Sequence, residues 1–129
     1  HLDEPDVLTA LMTCLLEDSS WEVRRNAAQA LDRKSSPSSA DALAVSISDD
    51  HWQVRKFSLR ALNAHVSEKY TNNILPLLCD DYSDVRKEAA LALGGISTDE
   101  SRSALKHSIN DSDIEVRIAS EKSLARISN

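Results

Sequence analysis

Histidine and cysteine are the side chains of this chain best suited to bind a metal ion or to act as nucleophiles. His51, His65 and His107 occur without an H-x-x-x-H spacing, and neither cysteine belongs to a C-x-x-C motif. Cys14 and Cys79 also lack the spacing of a disulfide framework. The chain has two glycines in all, so no glycine-rich loop is available to hold a phosphate group. We therefore predict no catalytic residue, no metal site and no cofactor.

Arginine and aspartate form the most regular polar pattern. Each arginine follows a valine, each aspartate precedes that valine by five positions, and both recur with a step of 31 residues. The arginines are Arg24, Arg55, Arg86 and Arg117, and the aspartates are Asp18, Asp49, Asp80 and Asp111. Such residues could form a charged binding stripe, but their recurrence in every unit favours a structural role. We predict a ladder in which each arginine reaches an acidic turn or a carbonyl group of an adjacent repeat.

The elements that carry these residues occur four times. Segments 18–31, 49–62, 80–93 and 111–124 align without gaps, and apolar or small residues recur four, seven and eight positions after the valine, as on one stripe of an α-helix. A period of this length indicates stacked units that bury their apolar faces on one another. Because glycine and proline are rare and aromatic residues make up 4% of the chain, we predict an all-α fold with an aliphatic core.

Each repeat is predicted to comprise a helix A, a short acidic turn and a helix B. The repeats span about 3–34, 35–66, 67–97 and 98–129, within one domain of residues 1–129. The predicted A helices cover residues 5–17, 37–48, 69–79 and 100–110. The predicted B helices cover residues 20–33, 52–66, 83–95 and 114–127.

The repeated pattern resembles a known family. D-x-x-x-x-V-R-x-x-A-x-x-A-L, matched best by VRKEAALALGGI at 85–96, is similar to the HEAT-like repeats first described in phycobilin lyases. The resemblance covers nearly the whole chain and implies a right-handed α-solenoid of four helical hairpins. Pro76 within the third A helix fits, because HEAT helices often tolerate a proline that kinks them. The family includes lyases, hydroxylases, reductase appendages and scaffolds, so the resemblance predicts architecture rather than one function.

One enzyme of this family, deoxyhypusine hydroxylase, carries iron-binding His-Glu pairs directly after the Val-Arg pair. The corresponding dipeptides in this chain are Arg25-Asn26, Lys56-Phe57, Lys87-Glu88 and Ile118-Ala119. None is His-Glu, so the ligands that this chemistry needs are absent. We therefore reject the hydroxylase interpretation and predict that the chain is not an enzyme.

Charge and cysteine content indicate where the chain acts. The net charge of −6 opposes long-range attraction to a phosphate backbone, which disfavours a nucleic-acid partner. The apolar run from Leu8 to Leu16 follows acidic rather than basic residues, which argues against a signal peptide, and no stretch is long enough to span a membrane. With two unpaired cysteines, a cytoplasmic location is expected. Because the sequence begins with His1, we expect a tag remnant or a piece of a longer protein.

The outward ridge of the B helices is the predicted binding surface. Positions two and six after the valine point away from the buried stripe, and the B helices of HEAT solenoids line the concave side. The predicted partner-binding residues are Arg25, Gln29, Lys56, Arg60, Lys87, Leu91, Ile118 and Lys122. This ridge is basic although the whole chain is acidic.

Two apolar residues, Leu91 and Ile118, interrupt the basic ridge in adjacent repeats. A basic groove with an apolar anchor suits an acidic, amphipathic peptide or a helix of a partner protein. The alternative is a solvated face without a partner. In that case the residues before each valine, Glu22, Gln53, Asp84 and Glu115, partly neutralise the ridge through i,i+3 pairing.

The first A helix carries apolar residues on more than one face. Leu8, Leu11 and Leu15 are its main candidates for contact with a further repeat, an N-terminal domain or a second copy of the chain. We therefore expect self-association or a domain contact through this helix.

Three functions remain open at this point. The first is a noncatalytic scaffold that binds a partner protein or acidic peptide on the concave face of the B helices. The second is a role like that of phycobilin lyases, in which basic residues meet the propionates of a bilin. The third is a nucleic-acid-contacting appendage, which the negative charge and the absence of a continuous basic stripe make less favourable.

Overall fold

Eight α-helices account for most of residues 3–128, the part of the chain that the computed structural model describes, and no strand occurs within it. The helices are α1 (Glu4–Glu17), α2 (Trp21–Lys34), α3 (Ala40–Ser46), α4 (Trp52–Leu62), α5 (Thr71–Ile74), α6 (Ser83–Leu93), α7 (Asp99–Ser108) and α8 (Ile114–Ile127). The odd-numbered helices are the A helices and the even-numbered helices are the B helices. This alternation agrees with the predicted order of elements.

Local hydrogen bonds explain where the B helices begin. In each repeat, the aspartate that recurs every 31 residues accepts a hydrogen bond from the backbone N–H two residues later, at 2.9 to 3.0 Å. This bond forms the turn between the A and B segments. The caps then differ between repeats. Asp113 caps α8 by accepting from the backbone N–H groups of Glu115 and Val116. His51 caps α4 through Nδ1, which accepts from the N–H of Gln53 at 3.1 Å.

Two compact units are present, residues 1–65 and 66–129, and each contains two repeats. The core of each unit is aliphatic, as predicted. Fully buried side chains of the first unit include Leu31, Leu43, Ile47, Val54, Leu59 and Leu62. Those of the second unit include Ile74, Val85, Leu93, Ile96, Leu105 and Val116. Each such side chain contributes about 1.5–3 kcal/mol through removal of apolar surface from water.

The A helices of the second and third repeats are shorter than predicted. In place of a helix at 37–48, a 3-10 turn at Pro37–Ser39 precedes α3. In place of a kinked helix at 69–79, α5 has four residues and is flanked by 3-10 segments at Glu68–Tyr70 and Leu75–Cys79. Pro76 has no N–H to donate and its ring crowds the preceding turn, so the α-helix ends at Ile74 instead of continuing through a kink.

Candidate functional site

The Val-Arg arginine of the first repeat is tied into the fold of the first unit. Arg24 donates from Nε to Asp49 Oδ2 at 2.8 Å and from Nη2 to Asp49 Oδ1 at 3.1 Å. Its Nη1 donates to the carbonyl oxygen of Asp18 at 2.8 Å. The hydrogen bond with Asp49 raises the pKa of Arg24 against the opposing effect of burial. One guanidinium therefore joins its own turn to the turn of the next repeat.

The second unit contains the same arrangement. Arg86 donates from Nε and Nη2 to the two carboxylate oxygens of Asp111, at 2.9 and 3.2 Å, and from Nη1 to the carbonyl of Asp80 at 2.8 Å. Burial acts to raise the pKa of Asp111, but the Arg86 hydrogen bond and the N–H of Asp113 outweigh it and hold that pKa below its ordinary value. Arg117 likewise donates to the carbonyl of Asp111. The predicted contact with the acidic turn of an adjacent repeat is thus confirmed for Arg24 and Arg86.

In the first unit, the predicted binding residues lie against aromatic rings. The Arg25 guanidinium is 5.1 Å from the centroid of the Trp21 ring, and its Nη1 donates to Gln53 Oε1 at 2.9 Å. Lys56 Nζ and the Arg60 guanidinium each lie 5.2 Å from the centroid of Phe57. These distances are those of cation–π contacts. Gln29 is half-buried in the same unit.

Residues outside the predicted binding set extend this aromatic group. The rings of Trp21 and His51 stack with centroids 3.7 Å apart and planes 4° apart, and His51 also faces Trp52 at 6.4 Å. Both tryptophans are half-buried, as expected for residues that cover a seam between helices. The sequence signal was present: Trp21 and His51 stand at adjacent positions of their respective repeats, so neighbouring B helices bring them together.

In the second unit, four of the predicted residues surround one depression of about 380 Å³. They are Lys87, Leu91, Ile118 and Lys122. Glu115 and Ala119 complete the lining. Ile118 is 56% exposed, which is high for a large apolar side chain, and Leu91 is half-buried. The depression thus combines an apolar surface with two lysines and one carboxylate.

The pairing partner of the basic residues differs from the predicted one. Lys87 Nζ bonds to Glu115 Oε2 at 2.9 Å, across to the B helix of the next repeat. Arg25 reaches Gln53 in the equivalent way. The predicted pairs lay at i,i+3 on one helix. Neighbouring B helices of a unit pack side by side, however, and a long side chain readily spans the gap between them. The hydrogen bond with Glu115 raises the pKa of Lys87.

The predicted contact surface of the first helix requires correction. Leu8 and Leu15 are buried within the first unit, so they are not available for self-association or a domain contact. Helix α1 packs against α2 and α3, and its buried side carries these two leucines. Leu11 is half-exposed, whereas Leu16 and Val23 are 45% and 38% exposed. The number of leucines in α1 did not indicate which of them face the core and which face solvent.

A cleft of about 820 Å³ in the second unit was not predicted. It lies between the 3-10 segment Leu75–Cys79 and α7. Its lining combines apolar, acidic and small polar residues, namely Leu75, Leu78, Cys79, Asp99, Glu100, Ser103, Ala104, His107, Ser108, Asn110 and Asp111. The nearest sequence signal is Pro76, because the third A segment is interrupted there, next to three of the lining residues.

Residues 3–128 contain no group of three or more His, Cys, Asp or Glu side chains placed to hold a metal ion. Cys14 and Cys79 are free thiols in different units. In the same range, no helix is long and apolar enough to cross a membrane.

Comparison with known proteins agrees with the helical repeats. Two solved structures of engineered proteins match with TM-scores of 0.76 and 0.73, at 24% and 21% identity, over 95% and 93% of this chain. The chain spans 62% and 63% of the lengths of those proteins. No curated protein matches significantly. These likenesses confirm the predicted all-α solenoid class, and the phycobilin-lyase subtype stays a prediction.

The family model of HEAT repeats matches residues 1–63 and 42–125, which together cover nearly the whole sequence. HEAT repeats commonly serve as protein-interaction scaffolds, and the fold is typically noncatalytic. The recurring Asp and Val-Arg columns within these ranges are the residues seen above in the turns and in the arginine–aspartate pairs. This chain belongs to the HEAT-repeat family.

Proposed function

We propose that this chain is a noncatalytic interaction module whose B helices bind an acidic, amphipathic segment of a partner protein. The observation that carries the proposal is the depression of the second unit, where Lys87, Leu91, Ile118 and Lys122 come together. An apolar side chain of the partner would contact Leu91 and Ile118, and its carboxylates would meet the lysines. Helix-in-groove recognition of this kind uses apolar anchors for affinity and flanking charge for orientation.

Exposure supports the assignment of Ile118 as the anchor. Ile118 is 56% exposed, so it does not stabilise the core, and its burial by a partner would be favourable because apolar surface would leave water. The two lysines differ in what they offer. Lys87 is bound to Glu115, so a partner carboxylate must compete for it, whereas Lys122 is exposed on α8. Lys122 is therefore the stronger candidate for contact with a partner carboxylate.

In the first unit, Arg25, Lys56 and Arg60 form a second basic surface. Aromatic rings lie beneath these side chains, and such contacts hold long cations in place at little entropic cost. We propose that this surface provides further contacts with acidic residues. Gln29 lies on the same helix as Arg25 and is assigned to the same surface.

The test is fluorescence anisotropy with a synthetic amphipathic peptide of leucine and glutamate. Ile118→Asp is expected to weaken binding by about tenfold or more, since the anchor is lost and a like charge introduced. Lys122→Glu should weaken it by about three- to tenfold. Lys106→Glu changes net charge equally on the exposed side of α7 and serves as the matched control. Equal binding by all four proteins would contradict the proposal.

A pull-down with mass spectrometry then searches for the natural partner. Loss of a captured protein on combining Lys56→Glu with Leu91→Asp is the expected result. An absorbance change on mixing with a bilin would instead support the lyase-like alternative. Salt-sensitive retention on a polyanion would support a nucleic-acid contact.

A further inference from the structure

The cleft beside α7 is a second surface with a different character from the B-helix site. It lies between A segments of the second unit, and its lining includes the apolar side chains of Leu75, Leu78 and Ala104. Its volume of about 820 Å³ is within the range of ligand-binding clefts. None of the eight predicted site residues lines it.

A buried hydroxyl without a partner lies in this cleft. Ser108 is 8% exposed, and its Oγ is the buried side-chain polar atom that has no hydrogen-bond partner within residues 3–128. Buried hydroxyl groups in proteins are nearly always bonded, because an unsatisfied one loses its bonds with water and gains nothing in return. The Ser108 hydroxyl therefore lacks a partner that a group entering the cleft beside it would supply.

In the first unit, the serine equivalent to Ser108 does have a hydrogen-bond partner. Ser46 and Ser58 occupy the positions of Ser108 and Ser120 two repeats earlier, and their hydroxyl oxygens are 2.7 Å apart. In the second unit Ser120 instead donates to the carbonyl of Val116 in its own helix, also at 2.7 Å. That change of partner leaves Ser108 unbonded.

Charge indicates what kind of ligand fits. Asp99, Glu100 and Asp111 line the cleft, and among its described lining residues there is no Lys or Arg. Arg86 and Arg102 bind Asp111 and Asp99 from outside the lining, while Glu100 is exposed at the start of α7. The cleft therefore presents an apolar surface beside carboxylates, which complements an apolar side chain accompanied by a cation.

We propose that this cleft binds a basic, amphipathic peptide segment of a partner protein. Its apolar side chain lies against Leu75, Leu78 and Ala104, its Lys or Arg meets Glu100, and one of its polar groups bonds to the Ser108 hydroxyl. Because the segment is basic, it differs from the acidic segment proposed for the B helices. The proposal is independent of that site and tested separately from it.

The two cysteines provide a built-in assay. Cys79 lines the cleft and is exposed, whereas Cys14 lies on α1 in the first unit. A short amphipathic peptide of leucine and lysine is titrated against the protein, and alkylation of each thiol by N-ethylmaleimide is followed by mass spectrometry. At ten times its Kd, the peptide should slow alkylation of Cys79 about tenfold, by occupying the cleft, with the rate at Cys14 unchanged.

Variants identify the contacts. Glu100→Lys should raise the Kd about three- to tenfold, whereas Glu17→Lys, an equal charge change on exposed α1, should leave it unchanged. Ala104→Trp fills the cleft and should abolish protection of Cys79 while circular dichroism remains that of the parent. Ser108→Ala should weaken binding a few-fold without lowering the melting temperature, because its hydroxyl has no partner to lose. Ser46→Ala is the contrasting control and should lower the melting temperature.

Three results would overturn the proposal. The first is equal protection of Cys79 by a leucine–glutamate peptide, and the second is no protection up to the solubility limit of the leucine–lysine peptide. The third is that uncharged cyclohexanol protects Cys79 as effectively as the peptide does, while Glu100→Lys has no effect on peptide binding. In that case the cleft would be a small-molecule site.

Discussion

The two units contain equivalent clefts between their A segments, and these clefts differ. In the first unit the cleft is about 440 Å³ and includes Arg24 in its lining. In the second it is about 820 Å³ and has no lining arginine. The third A segment is interrupted at Pro76, whereas α1 is a continuous helix of 14 residues. One proline in a repeated scaffold is thus associated with a larger, more apolar surface.

The B helices of the two units differ as well. Aromatic rings support the cations of the first unit, as Trp21 and Phe57 show. In the second unit the corresponding surface has exposed Ile118 and half-buried Leu91 beside its lysines. The arginine–aspartate pairs, in contrast, have nearly the same geometry in the two units. Positions that remain constant between repeats build the scaffold, and positions that vary shape the surfaces.

The largest expected effect concerns the arginine–aspartate pairs, which the two units share. Asp111→Ala and Asp49→Ala should each lower the free energy of unfolding by about 2–4 kcal/mol, because a largely buried arginine loses its partner. The side chains of each pair are 11–16% exposed. Urea denaturation gives the values, and Asp50→Ala, an exposed neighbour, should cost less than about 0.5 kcal/mol. Losses as small as that control would mean that the ladder adds nothing to stability.

The contribution of the Arg86–Asp111 pair to stability should decrease at acidic pH. The folded-state pKa of Asp111 lies below its ordinary value, so its pairing stabilises the fold above the unfolded pKa of about 3.9. That stability is lost as the pH falls through the lower folded-state pKa. The stability of Asp111→Asn should therefore depend less on pH in this acidic range.

A close approach in the second unit should produce the next largest effect. A Cβ added to Gly94 would lie 2.5 Å from Ser123 Oγ and 2.9 Å from its Cβ, and Ser123 is held by a 2.7 Å bond to the carbonyl of Ala90. Gly94→Ala should therefore cost about 1–3 kcal/mol in urea denaturation. Asn63 occupies the same position in the first unit, where a side chain is accommodated, and Asn63→Ala should be nearly neutral. A neutral Gly94→Ala would remove this difference between the units.

A smaller effect is expected at the start of the B helices. His51→Ala removes a helix cap and the stacking on Trp21, so it should lower the unfolding free energy by about 1–2 kcal/mol. Tyr82 occupies the same position in the next repeat, is 46% exposed and makes no side-chain cap bond. Tyr82→Ala should cost less, as measured by the melting temperature. The reverse order would show that the cap and the stack do not distinguish these two repeats.

Sequence reasoning was most successful for features that repeat. The 31-residue step located the B helices to within a few residues and identified the arginine–aspartate pairing between repeats. It failed where the outcome depends on contacts between helices. The burial of Leu8 and Leu15, and the reach of Lys87 to the next repeat, depend on distances between elements that a single helix pattern does not contain.

The candidate sites divide in the same way. The sequence alone indicated that Lys87, Leu91, Ile118 and Lys122 share one ridge, because helical periodicity assigns residues to faces. Only the tertiary structure placed all four around one depression and revealed the cleft beside α7. Helical periodicity and capping are local properties encoded within a few residues. Cavities and unsatisfied hydroxyl groups instead arise from the way in which packed helices fill, or fail to fill, the space between them.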